Sequence, residues 1–155
     1  MRRRTGILAV VAVTGALGVA GVSTALAATT GTITGLGGKC LDVTDGSTAN
    51  GNLPQLWTCS GGPNQSWTVG DNGSVQGRGK CLDVAANSTA NGAAVHLWDC
   101  YDTVASQKWT VSNGALVNTA SGKCIDVKDN NTANGAKLQI WACTGAANQK
   151  WNVPA

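Results

Sequence analysis

Three stretches of this chain superimpose on one another, and that repetition constrains the fold more than any other feature. Cys40 and Cys59, Cys81 and Cys100, and Cys124 and Cys143 each stand 19 positions apart. Gln65-Ser66-Trp67, Gln107-Lys108-Trp109 and Gln149-Lys150-Trp151 follow at a constant step of 42. Between the cysteines of each pair lies "TANG", ending in turn at Gly51, Gly92 and Gly135. A period of this length, kept in register by every anchor, means three copies of one supersecondary unit.

Each copy reads as short strands between turn signals. The first strand, Lys39–Val43, lies in "GKCLDV", which recurs at Gly79–Val84 and as "GKCIDV" at Gly122–Val127. Strand alternation turns Leu41 and Val43 inward and presents Cys40 and Asp42 on the outer face. Further strands are expected over Leu53–Thr58, Ser66–Val69 and Ser74–Gln76. The Asn-Gly of "TANG" suits a tight turn between the first two. The last copy ends at Ala155 without a fourth strand, a place that Thr32-Ile33-Thr34 fills if the chain ends meet. Three four-stranded units closed into a ring, with repeats near 36–77, 78–119 and 120–155, describe an all-β fold, the β-trefoil. A three-bladed propeller shares the period, but propellers typically use four or more blades.

Residues 1–27 carry the pattern of a secretory signal peptide. Arg2, Arg3 and Arg4 are followed by an uncharged run from Ile7 to Val22, then by the small-residue site Ala25-Leu26-Ala27. The run is shorter than the roughly 20 residues of a membrane-spanning helix. The paired arginines also fit a twin-arginine route, but their usual flanking residues are missing. A secreted, extracellular domain over residues 28–155 is therefore expected, large enough for a proper core. Removal of three arginines from eleven basic residues balances the remainder against eight acidic ones. That balance argues against nucleic acid and against attraction to anionic membranes. All the acids are Asp, and no Glu occurs.

Six cysteines in an exported domain imply a disulfide framework. No close CxxC pair is present, so zinc ligation is not expected. Threefold symmetry allows pairing within each copy or cyclically between copies. The first, Cys40–Cys59, Cys81–Cys100 and Cys124–Cys143, closes three similar loops and is preferred.

Alternation on the second strand places Gln55, Trp57 and Cys59 outward and Leu56 inward. Asp42, Gln55 and Trp57 then converge on one side of a stapled hairpin. A carboxylate and an amide can bond vicinal hydroxyls, and an indole can cover the apolar face of a pyranose. Repeated Trp in a small β domain also serves as core, and Trp67, Trp109 and Trp151 are assigned there. Repeated Asp near a strand end also serves as a turn cap. Strand parity separates the roles, because an exposed Trp repeated three times is costly unless it binds something.

"CLDV", "QLW" before a cysteine, and "NQSW", repeated with variation, resemble the ricin B-type lectins and carbohydrate-binding module family 13. The likeness runs from about Thr32 to Val153. It implies a β-trefoil that binds galactose-type sugars, or xylan and related polysaccharides, with no metal or other cofactor. It also implies sugar contacts from Asp42, Gln55, Trp57 and Asn64, with Gln65 holding the Asp in place. The third copy offers Asp126, Gln139, Trp141, Asn148 and Gln149. The middle copy keeps Asp83, Trp98 and Gln107 but carries His96 and Ser106 where its siblings have Gln and Asn. It also has one more residue between Cys100 and Gln107. Two competent sites and a weak, lost or altered middle site are expected.

An enzyme is the first rival. Glycosidases usually pair two carboxyls about 5–9 Å apart, and alternation offers one acid per outer face. A secreted inhibitor presenting one loop to a protease is the second, yet three equivalent Asp–Trp faces argue for a repeated ligand. The resemblance implies a polysaccharide or glycan partner. It also leaves room for a separate glycoside hydrolase or toxin subunit, since the leader runs straight into the repeats.

Overall fold

The computed structural model describes residues 28–155; the leader expected over residues 1–27 lies outside them. Eleven strands occur among the described residues. They are β1 (Thr29–Gly31), β2 (Cys40–Asp42), β3 (Gln55–Trp57), β4 (Trp67–Val69), β5 (Val75–Gly77) and β6 (Lys80–Val84). There follow β7 (Val95–Trp98), β8 (Trp109–Ser112), β9 (Ala115–Asn118), β10 (Cys124–Val127) and β11 (Ala136–Trp141). Several are one to three residues shorter than the alternation suggests. Leu53, expected in the second strand, lies outside it and is exposed.

Each copy opens with an antiparallel hairpin: β2 with β3, β6 with β7, β10 with β11. The register sets Asp42 opposite Gln55, Asp83 opposite His96, and Asp126 opposite Gln139. Two sheets result, ordered β1-β4-β5-β6-β7 and β2-β3-β11-β10-β9-β8. The fold is an all-β trefoil.

The inward residues meet in one core. Leu41, Leu56, Leu82, Leu97, Ile125 and Ile140 are buried, together with Trp67, Trp109 and Trp151. A buried indole N–H needs an acceptor, and the repeat supplies the same one three times. Trp67 Nε1 donates to the Leu41 carbonyl at 2.8 Å, Trp109 to Leu82 at 2.9 Å, and Trp151 to Ile125 at 3.1 Å. Each indole thus ties the QxW segment that carries it to the backbone of its own copy's first strand.

Chain closure uses less of Thr32–Thr34 than the sequence suggests. Thr34 alone pairs, exchanging backbone hydrogen bonds with Asn152 at 3.1 and 2.7 Å and bridging Cys40 on the other side. The N-terminal strand proper, β1, instead pairs with β4 of the first copy. Gly31 sits against Pro154, where an added Cβ would come within 3.2 Å, and Gly35 lies beneath the Trp151 ring, where a Cβ at 2.5 Å leaves no room for a side chain.

All six cysteines pair within their own copies, with Cα separations of 5.1, 5.0 and 5.1 Å. "TANG" does the opposite and joins each copy to the next. Gly51 N–H donates to the Leu97 carbonyl, Gly92 to Ile140 and Gly135 to Leu56, at 2.8, 2.8 and 2.9 Å. The preceding asparagines make side-chain bonds in the same cyclic direction. Asn134 Oδ1 accepts from Thr58 N–H at 3.0 Å, and Asn91 Oδ1 accepts from Ala142 N–H at 3.0 Å. Asn50 donates to Asp99 at 2.9 Å and accepts from Lys80 at 3.1 Å. Hydrogen bonds from Lys80 and then Asn50 hold the Asp99 carboxyl below its ordinary value. Gly135 adopts φ 90°, so glycine is the natural residue at this turn. The turn that the sequence signals is therefore also the clasp between copies.

Candidate functional site

Two single-turn helices per copy frame a surface pocket over each opening hairpin. The first follows the "DV" of the strand: Thr44–Gly46, Ala85–Asn87 and Lys128–Asn130. Its central residue, Asp45, Ala86 or Asp129, has a positive φ of 56, 56 or 58°. The second carries the Gln of QxW: Pro63–Gln65, Ala105–Gln107 and Ala147–Gln149.

In the first copy Asp42, Gln55, Trp57 and Asn64 line one depression of about 440 Å³, with Asp45, Ser60, Gly62 and Pro63. Trp57 is 41% exposed. Asp42 and Gln55 are not presented openly, however; both are buried. Alternation put them on the outer face, but the Pro63–Gln65 turn packs against that face beside Asp42. Asp42 accepts from Gln55 Nε2 at 3.2 Å through one oxygen and from Gln65 Nε2 at 2.9 Å through the other. Gln65 lies behind the carboxylate. Its amide also donates to the Thr58 carbonyl at 3.0 Å and accepts from Ser60 N–H at 2.7 Å. Such a fully engaged amide fixes the acid in place, as a buried polar network must. Asn64 makes no bond to Asp42 and lies against Gly46, where an added Cβ would come within 2.7 Å of its oxygen.

The third copy repeats the arrangement around about 310 Å³, lined by Asp126, Lys128, Asp129, Asn130, Gln139, Trp141 and Asn148. Asp126 accepts from Gln139 at 3.0 Å, Gln149 at 3.0 Å and Asn148 at 2.8 Å. Here the Asn amide is spent on the carboxylate and on the Val127 carbonyl at 3.2 Å. Trp141 is 41% exposed.

The middle copy differs at every donor. Its pocket of about 360 Å³ is lined by Asp83, Ala86, Asn87, His96, Trp98, Tyr101, Val104 and Gln107. Gln107 donates to the Asp99 carbonyl at 2.8 Å and accepts from Tyr101 N–H at 2.8 Å, leaving Asp83 alone. His96 Nε2 stands 3.3 Å from Asp83 Oδ2, and Asp83 Oδ1 is buried without a partner. Ser106 turns to Asn87 at 2.6 Å and does not line the pocket.

One sequence expectation is overturned here. Alternation gave each outer face a single acid, yet the first pocket holds Asp42 with Asp45, and the third Asp126 with Asp129. The second acid comes from the helical turn after the strand, where a period of two no longer applies. The constant offset of three from the strand Asp was its only signal, and the middle copy breaks it with Ala86.

Residues 29–151 match the ricin-type β-trefoil lectin domain. The chain belongs to that family. Among solved relatives of this lectin domain is the designed threefold-symmetric protein ThreeFoil, 33% identical with a TM-score of 0.73, covering 81% of this chain and 98% of that one. The agglutinin from Abrus precatorius is 29% identical with a TM-score of 0.75, over 81% of this chain and 48% of that one. A non-toxic homologue of type II RIPs from Momordica charantia (bitter gourd), in complex with α-methyl-D-galactoside, is 27% identical with a TM-score of 0.74. The match covers 82% of this chain and 48% of that chain, so the lectin domain spans about half of each plant protein. Its three disulfides place this lectin domain in an extracellular or otherwise oxidising location. Among the described residues no helix is long and apolar enough to cross a membrane.

Proposed function

We propose that this lectin domain is a secreted carbohydrate-binding protein that recognises galactose- or xylose-type sugars of polysaccharides or dense glycans. The observation that carries the reading is the pairing, in the first and third copies, of an amide-held carboxylate with an exposed indole in one shallow pocket. Asp42 and Asp126 are acceptors fixed for hydroxyl donors. Trp57 and Trp141 supply flat apolar surface for a pyranose face. Gln55, Asn64, Gln139 and Asn148 complete the rims, and Gln65 and Gln149 act from behind by positioning the acids. The Momordica homologue's galactoside complex supports the galactose side of the reading.

Binding without catalysis is the chemistry these pockets favour. Asp42 and Asp126 are each held by two or more amide donors, which fits them to receive hydroxyl protons in hydrogen bonds rather than to deliver a proton. The middle pocket, with Asp83, His96, Trp98 and Gln107, has fewer fixed donors and binds more weakly. Separate shallow sites on a rigid scaffold suit a polymer, because linked binding raises avidity by about 10²–10⁴ when spacing fits. Retention on immobilised galactan and xylan columns, followed by a glycan array, tests the proposal. Absence of retention on any glycan would overturn it.

A further inference from the structure

The one histidine in the chain touches both halves of the middle pocket. Its Nε2 lies 3.3 Å from Asp83 Oδ2, and its ring stacks on Trp98 with centroids 5.2 Å apart and planes 27° apart. The first and third copies hold their acid with amides, which do not titrate. Imidazole is the side chain whose ordinary charge change falls between about pH 5 and 8.

We propose that His96 is a positioning residue that makes sugar binding at the middle pocket weaken in acid, while the other two pockets stay insensitive. This rests on the carbohydrate reading of the pockets. Asp83 lines the pocket, and its Oδ1 is buried without a partner, which leaves Oδ2, the oxygen facing His96, for a ligand. With His96 neutral, its Nε2–H donates to Oδ2 and the carboxylate keeps its full charge. A sugar hydroxyl then makes a charge-assisted bond to the same Oδ2, stronger than one to a neutral acceptor. Protonation of His96 converts the contact into an ion pair, and the hydroxyl must compete with an imidazolium for the same carboxylate. Linkage makes the effect reciprocal: sugar on Asp83 lowers the proton affinity of His96, and a proton on His96 lowers the affinity for sugar.

Other titratable groups near His96 are otherwise engaged or set apart. Lys80 on β6 is paired with Asp99, and Asp102 takes a hydrogen bond from Asn72 at 3.4 Å. Tyr101 lines the pocket without making an ion pair among the described residues. Lys137 on β11 stands opposite Gln55 of the first copy. Asp83 is thus the charged group that faces the imidazole.

The test follows the indole Nε1–H resonances of Trp57, Trp98 and Trp141 by NMR during titration with methyl β-D-galactopyranoside. At Trp98 the affinity should be about fivefold higher near pH 7.5 than near pH 5.5, the low end of ordinary coupling between sites. Trp57 and Trp141 should show no such slope, and H96Q, which restores the amide of the sibling copies, should abolish it at Trp98. A flat profile at Trp98, a slope that survives in H96Q, or a silent Trp98 beside responsive Trp57 and Trp141 would overturn this inference alone. If none of the three indoles responds, the galactoside reading falls and takes the inference with it.

Discussion

Gln65 Nε2 lies 2.9 Å from Asp42 Oδ2, joining the QxW segment of the first copy to the floor of its pocket. Two residues later Trp67 drives its indole into the core and bonds Leu41. One tripeptide therefore anchors the core with its Trp and orients the surface acid with its Gln. The third copy repeats the link through Gln149 and Asp126, whereas Gln107 leaves Asp83 untouched.

Replacement of these glutamines should separate the two roles. Gln65→Leu or Gln149→Leu strands buried backbone groups, so each should cost about 2 kcal/mol in denaturant unfolding. Each should also weaken galactoside binding at its own pocket, as reported by Trp57 or Trp141. Gln107→Leu should cost similar stability, yet it should not release Asp83.

The two classes of tryptophan should respond differently to truncation. Trp57→Ala and Trp141→Ala together should remove most retention on immobilised polysaccharide while leaving the unfolding midpoint nearly unchanged. Undiminished retention in the double variant would refute the pocket assignment. Trp67→Ala should destabilise by about 3–5 kcal/mol, the usual range for a large buried aromatic.

The clasp between copies is open to the same approach. Asn134→Ala leaves the Thr58 N–H without its side-chain acceptor and should cost about 1 kcal/mol in chemical denaturation. Gly135→Ala forces a side chain into φ 90° and should cost a further 1 kcal/mol or about that. Both losses should appear as faster unfolding, with near-native spectra before the transition.

Opening one disulfide tests how far the staples support the hairpins. The Cys40→Ala/Cys59→Ala pair should lower stability by about 3 kcal/mol if chain entropy dominates. Cys40 is buried beside the outer face that carries Asp42, so binding at the first pocket should weaken more than at the third. Indole NMR on the variant distinguishes the two.

The sequence by itself determined the threefold period, the trefoil and which tryptophans face inward, and it narrowed the disulfides to two symmetric pairings. These follow from local rules: a period of two assigns faces, and repeated spacing makes the copies equivalent. Tertiary structure alone decided what lies over each face. The Pro63–Gln65 turn, more than twenty residues from Asp42, holds that acid; the "TANG" glycines bond the following copy. Asp45 and Asp129 reach the pockets from helical turns, and Gln107 keeps the backbone partners of its siblings but makes no bond to Asp83. Cover, clasp and donor choice depend on distances between segments remote in the chain, and alternation along a strand carries no record of those.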